Sequence, residues 1–99
     1  MRTLGYEVLT AEDGSSALAI LERGAAVDLL FTDVSMPRGM SGDELARRAQ
    51  RLRRRLKVLL ISGYAAAVRD GALLEQFTVL AKPYRSDELA HAVRAALDG

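Results

Sequence analysis

The chain has no cysteine and no tryptophan, only two prolines, and 5% aromatic residues. Without cysteine there is no disulfide framework and no thiolate metal site. The formal net charge is +1, because 14 Lys and Arg nearly balance 13 Asp and Glu. That balance gives no electrostatic case for nucleic acid as a direct partner. No apolar run approaches the roughly 18–20 residues that a bilayer-spanning helix needs. The start, Met1-Arg2-Thr3-Leu4-Gly5-Tyr6-Glu7-Val8, lacks the apolar stretch of a secretory leader. The expectation is a soluble, cytoplasmic protein built as one domain over residues 1–99. What the chain does have is apolar side chains, 49% of the total, enough for one modest core.

Those side chains alternate between two periods. Tyr6–Thr10 reads as a short strand, and Ser15–Arg23 as a helix with Ala17, Leu18 and Leu21 on one face. Gly24 then suits the left-handed residue past a helix end. Leu29–Thr32 is a continuous apolar run, as expected of a strand covered on both sides. Ser41-Gly42-Asp43-Glu44 has the form of a capping box, with Ser41 as N-cap and Glu44 three positions on. The helix behind it is expected to bury Leu45, Ala49, Leu52 and Leu56. Lys57–Ile61 is a third strand, Ala65–Leu74 a helix interrupted by Gly71, and Phe77–Ala81 a fourth strand. Ser86 is placed as the cap of a last helix that turns Leu89, Val93, Ala96 and Leu97 inward. Asp87 and Glu88 in its first turn suit the helix dipole.

The order β-α-β-α-β-α-β-α argues for a parallel sheet with helices on both faces. Right-handed crossovers put every strand's carboxyl end on one edge, where ligands bind. Three polar residues stand where apolar strands stop: Asp33, Ser62 and Lys82. Each alone has a plain structural explanation as a loop cap, a turn residue or a solvated strand end. Together they bring an acid, a hydroxyl and an ammonium to one mouth, with Pro83, expected cis, aiming the lysine back. Phosphoryl transfer to a carboxylate suits this set. Asp33 would be the nucleophile, with Ser62 donating a hydrogen bond to the phosphoryl oxygens and Lys82 pairing with them. Mg²⁺ would neutralise the incoming group.

These residues carry a resemblance. Asp33 followed by Met36-Pro37 and Gly42, then Ser62-Gly63, then Lys82-Pro83, resembles a response-regulator receiver domain. The loop Met36-Pro37-Arg38-Gly39-Met40-Ser41-Gly42 and the stretch Ile61-Ser62-Gly63-Tyr64-Ala65 look most like receivers of hybrid sensor histidine kinases. The resemblance implies a flavodoxin-like doubly wound fold and a phosphoacceptor at Asp33. It implies a switch hydroxyl at Ser62, a phosphate-binding lysine at Lys82, and Mg²⁺ on Asp33 and the Ser35 backbone carbonyl. The partner it implies is a sensor histidine kinase or phosphotransfer protein.

Two departures qualify the match. The aromatic switch position, three residues before the lysine, holds Val79. The family's opening strand, with its acidic pair and most of the first helix, has no counterpart: Arg2-Thr3-Leu4-Gly5-Tyr6 resembles only the tail of that helix. Four strands and four helices remain. Mg²⁺ binding is therefore expected to be weakened or absent. The missing strand is normally central, so Leu29–Thr32 would leave backbone groups unpaired, at about 1–3 kcal/mol for each buried orphan. Three arrangements remain open. The chain is an N-terminally truncated piece; two copies form a homodimer or exchange elements to cover the gap; or Tyr6–Thr10 pairs directly with Leu29–Thr32, parallel or antiparallel. In the last case Glu12 and Asp13 would approach Asp33 and stand in for the lost pair, against the plainer reading of a loop and helix cap.

Other features are set aside. His91 is expected to face solvent rather than act in a relay. Arg47, Arg48, Arg51, Arg53, Arg54, Arg55 and Lys57 are read mainly as a solvated face, with a surface for an acidic partner as the alternative. Gly39 and Gly42 are followed by no Gly-Lys-Ser/Thr, so a nucleotide-binding loop is unsupported. The leading function is a phosphoacceptor whose only chemistry is its own phosphorylation and dephosphorylation. The alternative is a degenerate receiver used as a phosphorylation-independent interaction or dimerisation module. A phosphatase with an aspartyl nucleophile is disfavoured, because Ser35 stands where such enzymes resemble one another in carrying a second aspartate.

Overall fold

The computed structural model describes residues 2–3, 6–35, 40–63 and 71–98. Strand β1 (Arg2–Thr3) is followed by β2 (Tyr6–Ala11), α1 (Gly14–Glu22), β3 (Leu29–Asp33), α2 (Gly42–Leu52), β4 (Lys57–Ser62), α3 (Gly71–Gln76), β5 (Thr78–Ala81) and α4 (Ser86–Asp98). α3 is a turn and a half; the other helices run nine residues or more. The sheet order is β1-β2-β3-β4-β5. β2 to β5 are parallel, and only β1 runs antiparallel, against β2. This is the parallel, helix-covered sheet of the flavodoxin-like class.

β2 lies directly against β3, in the register Val8↔Leu29 to Ala11↔Thr32. β3 is thus paired on both sides within one chain, and its buried backbone groups have partners. Strand entry is clamped at Asp28, whose Oδ2 accepts the Glu7 N–H at 2.8 Å while its own N–H reaches the Glu7 carbonyl at 2.8 Å. Arg2–Thr3, read from the sequence as a helix tail, is instead a strand. A short antiparallel return there shields the otherwise open edge of β2.

The sheet separates two apolar clusters. Leu30, Val58 and Leu60 meet Ala17 and Leu21 of α1 and Leu45, Ala46 and Ala49 of α2 on one face. Val8, Leu29, Phe31 and Leu59 meet Ala92, Val93 and Ala96 of α4 on the other. Leu52 differs from expectation, being 50% exposed. The buried face of α2 centres between Leu45 and Ala46, and at roughly 100° per residue Leu52 falls at its margin. Leu56 is buried as expected, but in the loop after α2, where its carbonyl accepts from Gln50 Nε2 at 3.1 Å. Gly71 is the first residue of α3; the expected helix over Ala65–Leu74 falls partly on residues 65–70, which lie outside the described ones. Gly24 has the expected positive φ of 86°. Ser86 is the first residue of α4, and it is Glu88 that reaches back, its Oε1 accepting the Arg85 N–H at 2.9 Å.

Candidate phosphoacceptor site

Asp33 is the last residue of β3 and lies level with Ile61 of β4. The strand delivers it because Leu29, Leu30, Phe31 and Thr32 are all buried, so the first half-exposed position is the carboxylate itself. The loop beyond is held tightly. Val34 N–H reaches the Ile61 carbonyl at 2.9 Å, and Gly42 N–H the Val34 carbonyl at 2.7 Å. A Cβ on Gly42 would lie 1.9 Å from the Asp33 carbonyl oxygen, so the close approach requires glycine. Ser41 caps α2 beside it, its Oγ accepting the Glu44 N–H at 3.4 Å. The reciprocal half of the capping box is replaced by an ion pair, Glu44 to Arg48 at 2.9 Å.

Lys82 follows β5, and its peptide bond to Pro83 is cis, as the sequence suggests. Its Nζ donates to Asp33 Oδ2 in a direct ion pair. Asp33 Oδ1 accepts the Ser35 N–H at 3.0 Å. Ser62 ends β4 in register with Ala81, is buried, and accepts the Lys82 N–H on its carbonyl at 2.8 Å. The three residues from separate strands therefore meet at one edge. Asp33 and Lys82 touch through their side chains, and Ser62 joins through its backbone. Sequence reasoning did not anticipate Thr32, whose buried hydroxyl donates to the Asp33 carbonyl at 3.2 Å. A threonine inside an apolar run is its only trace in the sequence.

The other expected positions are less converged. Asp13 is the N-cap of α1, with Oδ1 accepting the Ser16 N–H at 2.8 Å and Oδ2 the Ser16 hydroxyl at 3.2 Å. Glu12 is exposed, one residue past the end of β2. Residues 36–39 and 64–70 lie outside the described ones. Val79 is half-buried against the α1–α2 cluster, level with Leu60. His91 is exposed, as expected.

A family model described as "Response regulator receiver domain" matches residues 1–94. The chain belongs to the response-regulator receiver family. It is 36% identical over 95 residues to the response regulator receiver protein CpdR of Brucella abortus, covering 94% of this chain and 78% of that protein. It is 36% identical over 89 residues to the sensor histidine kinase RcsC of Salmonella typhi, covering 88% of this chain but 9% of the kinase. The solved structure of the response regulator TrrA from Thermotoga maritima, in complex with Mg²⁺ and BeF, matches with a TM-score of 0.75 and 32% identity, covering 94% and 79%. Receiver domains are signalling domains of two-component phosphorelays. They interact with histidine kinases or phosphotransfer proteins and generally bind Mg²⁺. No described helix of this receiver is long and apolar enough to cross a membrane.

The donors at the receiver's edge are of the kind Mg²⁺ takes, which is one or two carboxylates with carbonyl and water oxygens. Among the described residues no group of three or more His, Asp or Glu side chains gathers to hold a metal. Lys82 pairs with the Asp33 carboxylate and balances its charge.

Proposed function

We propose that Asp33 accepts a phosphoryl group from a phosphohistidine of a sensor kinase or phosphotransfer protein. The domain, residues 1–99, would act in the cytoplasm and change its affinity for a partner once modified. A carboxylate oxygen of Asp33 attacks phosphorus, and the bond from phosphorus to the imidazole nitrogen breaks. The electron pair stays on that nitrogen, which takes up a proton, and an acyl phosphate remains on Asp33. The Lys82 ammonium moves from the carboxylate to a phosphoryl oxygen, and the Ser62 hydroxyl donates to another. Asp33 and the Ser35 backbone carbonyl would hold Mg²⁺, which would supply positive charge against the phosphoryl oxygens.

The observation that carries this reading is the direct Lys82–Asp33 contact between ends of two different strands. Incubation with Mg²⁺ and a small acyl-phosphate donor, followed by intact mass measurement, tests it. The chain should gain one phosphoryl group and Asp33→Asn none. Val79, which offers no ring to move, and the lack of a metal-holding group of acidic side chains among the described residues favour a second reading: an interaction or dimerisation module that works unphosphorylated. Failure of the chain to take up phosphoryl would favour that module.

A further inference from the structure

The end of the sheet opposite Asp33, where the parallel strands begin, carries a groove made of depressions that run into one another. The first, of about 380 Å³, is lined by Arg54, Arg55, Leu56, Lys57, Glu75 and Phe77 among others. The second, of about 280 Å³, shares Arg55, Leu56 and Lys57 with it and continues to Tyr6 and Leu97. The third, of about 450 Å³, shares Tyr6 and Leu97 and adds Arg94 and Asp98. The groove thus crosses from β5 to β2. With strands about 4.8 Å apart it is roughly 14 Å long, which about four extended residues would fill.

Charge along the groove is uneven. Arg54, Arg55, Lys57 and Arg94 line it, against Glu75 and Asp98. Asp28 is also present, but its Oδ2 accepts the Glu7 N–H, and Arg53 is turned to the Leu21 carbonyl. Arg54 and Arg55 are exposed, and their side chains make no ion pair or hydrogen bond with a described residue. The plain explanation for cations here is the C-terminus of α2. Arg51 already serves its last turn and Arg53 is its C-cap, so Arg54 and Arg55 stand past the turn over which the dipole acts. Apolar surface lies beyond these cations, with Tyr6 42% exposed and Leu97 half-buried. A nucleic-acid backbone needs a cation for each phosphate it neutralises, and Glu75 and Asp98 interrupt such a track. Arginine and tyrosine in one groove are instead the anchors of protein contacts.

We propose that this groove docks an extended acidic segment of a partner protein. Its carboxylates meet Arg54, Arg55 and Lys57, and an apolar side chain rests on Tyr6 and Leu97. The occupant leaves the Asp33 edge open, because the two lie at opposite ends of the strands. The fluorescein-labelled peptide Glu-Glu-Leu-Asp-Glu-Phe-Glu-Asp, titrated with the whole chain at low ionic strength, reports binding by anisotropy, and each variant is also melted. Wild type should bind the peptide, and added salt should weaken the complex. Arg55→Gln should bind about threefold more weakly, and Arg54→Gln combined with Arg55→Gln about tenfold. Arg51→Gln removes the same charge from an exposed position that lines none of these depressions, and should bind as wild type does. Where the double variant does not fold, the contrast between Arg55→Gln and Arg51→Gln decides. No binding by wild type, or equal weakening by Arg51→Gln and Arg55→Gln, overturns the proposal. So does a folded double variant of unchanged affinity, whose lowered melting temperature would assign Arg54 and Arg55 to the fold alone. An oligothymidine that binds as tightly as the peptide also overturns it, and would mark a phosphate track instead.

Discussion

At the scale of single residues, the site depends on one position with no room and one with little packing. A Cβ on Gly42 would come so close to the Asp33 carbonyl that it must displace the backbone of the candidate phosphoacceptor. Gly42→Ala should destabilise the chain by about 3 kcal/mol in urea unfolding, at the upper end of overpacking costs. A change within about 0.5 kcal/mol, typical of open surface sites, would show that the loop yields freely. Lys82 behaves oppositely. Its side chain is 42% exposed and that of Asp33 27%, and exposed ion pairs are worth about 0–1 kcal/mol. Lys82→Ala should therefore melt close to wild type yet form far less of the aspartyl phosphate, or hold it more briefly. A large loss of stability with normal phosphorylation would contradict the assigned role.

At the scale of elements, α2 anchors the loop after Asp33, and its first turn carries the clearest electrostatic signature. Burial alone would push the Asp43 carboxyl up. Hydrogen bonds from the Ser41 hydroxyl and the Arg47 guanidinium, with its own backbone N–H and the Arg47 charge, outweigh that and hold it below its ordinary value. A carboxyl depressed in the native state adds stability that is full above its ordinary, unfolded pKa and is lost as pH falls through the lowered native one. Asp43→Asn should thus be less stable than wild type at neutral pH, and the gap should close on acidification. A gap that widens toward low pH would refute this sign. The inner face of α2 gives a second contrast. Leu45 is fully buried and Leu52 half exposed, so Leu45→Ala should cost about 2–5 kcal/mol and Leu52→Ala far less.

Helix caps and buried faces such as these were legible because they depend on short-range spacing: Ser41 three residues before Glu44, and Leu45 four before Ala49. Leu52 was misjudged because sequence spacing marks a stripe but not its centre, which Ala46 shifts by letting the helix sit close to the sheet. The basic run was only partly a solvated face. Arg47 pairs with Asp43 at 3.0 Å, and Arg53 donates across to the Leu21 carbonyl at the end of α1 at 3.0 Å. No local pattern could announce that second contact.

At the scale of the whole molecule, four apolar strands and the convergence of Asp33 and Lys82 could be read from where apolar runs end. The partner of β3 could not, because three arrangements satisfied the same sequence. Within the chain β2 pairs directly and in parallel with β3, and the strand order follows the chain order from end to end. The short β1 was also illegible, since two residues carry no period. The result is a receiver whose candidate phosphoacceptor edge is assembled from the ends of β3, β4 and β5. The most direct measurement of that assembly is fluorine NMR of the chain with Mg²⁺ and beryllofluoride, a stable stand-in for the phosphoryl group. Bound fluorine resonances should appear with wild type, vanish with Asp33→Asn, and shift with Ser62→Ala and with Lys82→Ala. No bound resonance with wild type, or the same spectrum from all four proteins, would contradict the convergence of these three residues on one phosphoryl group.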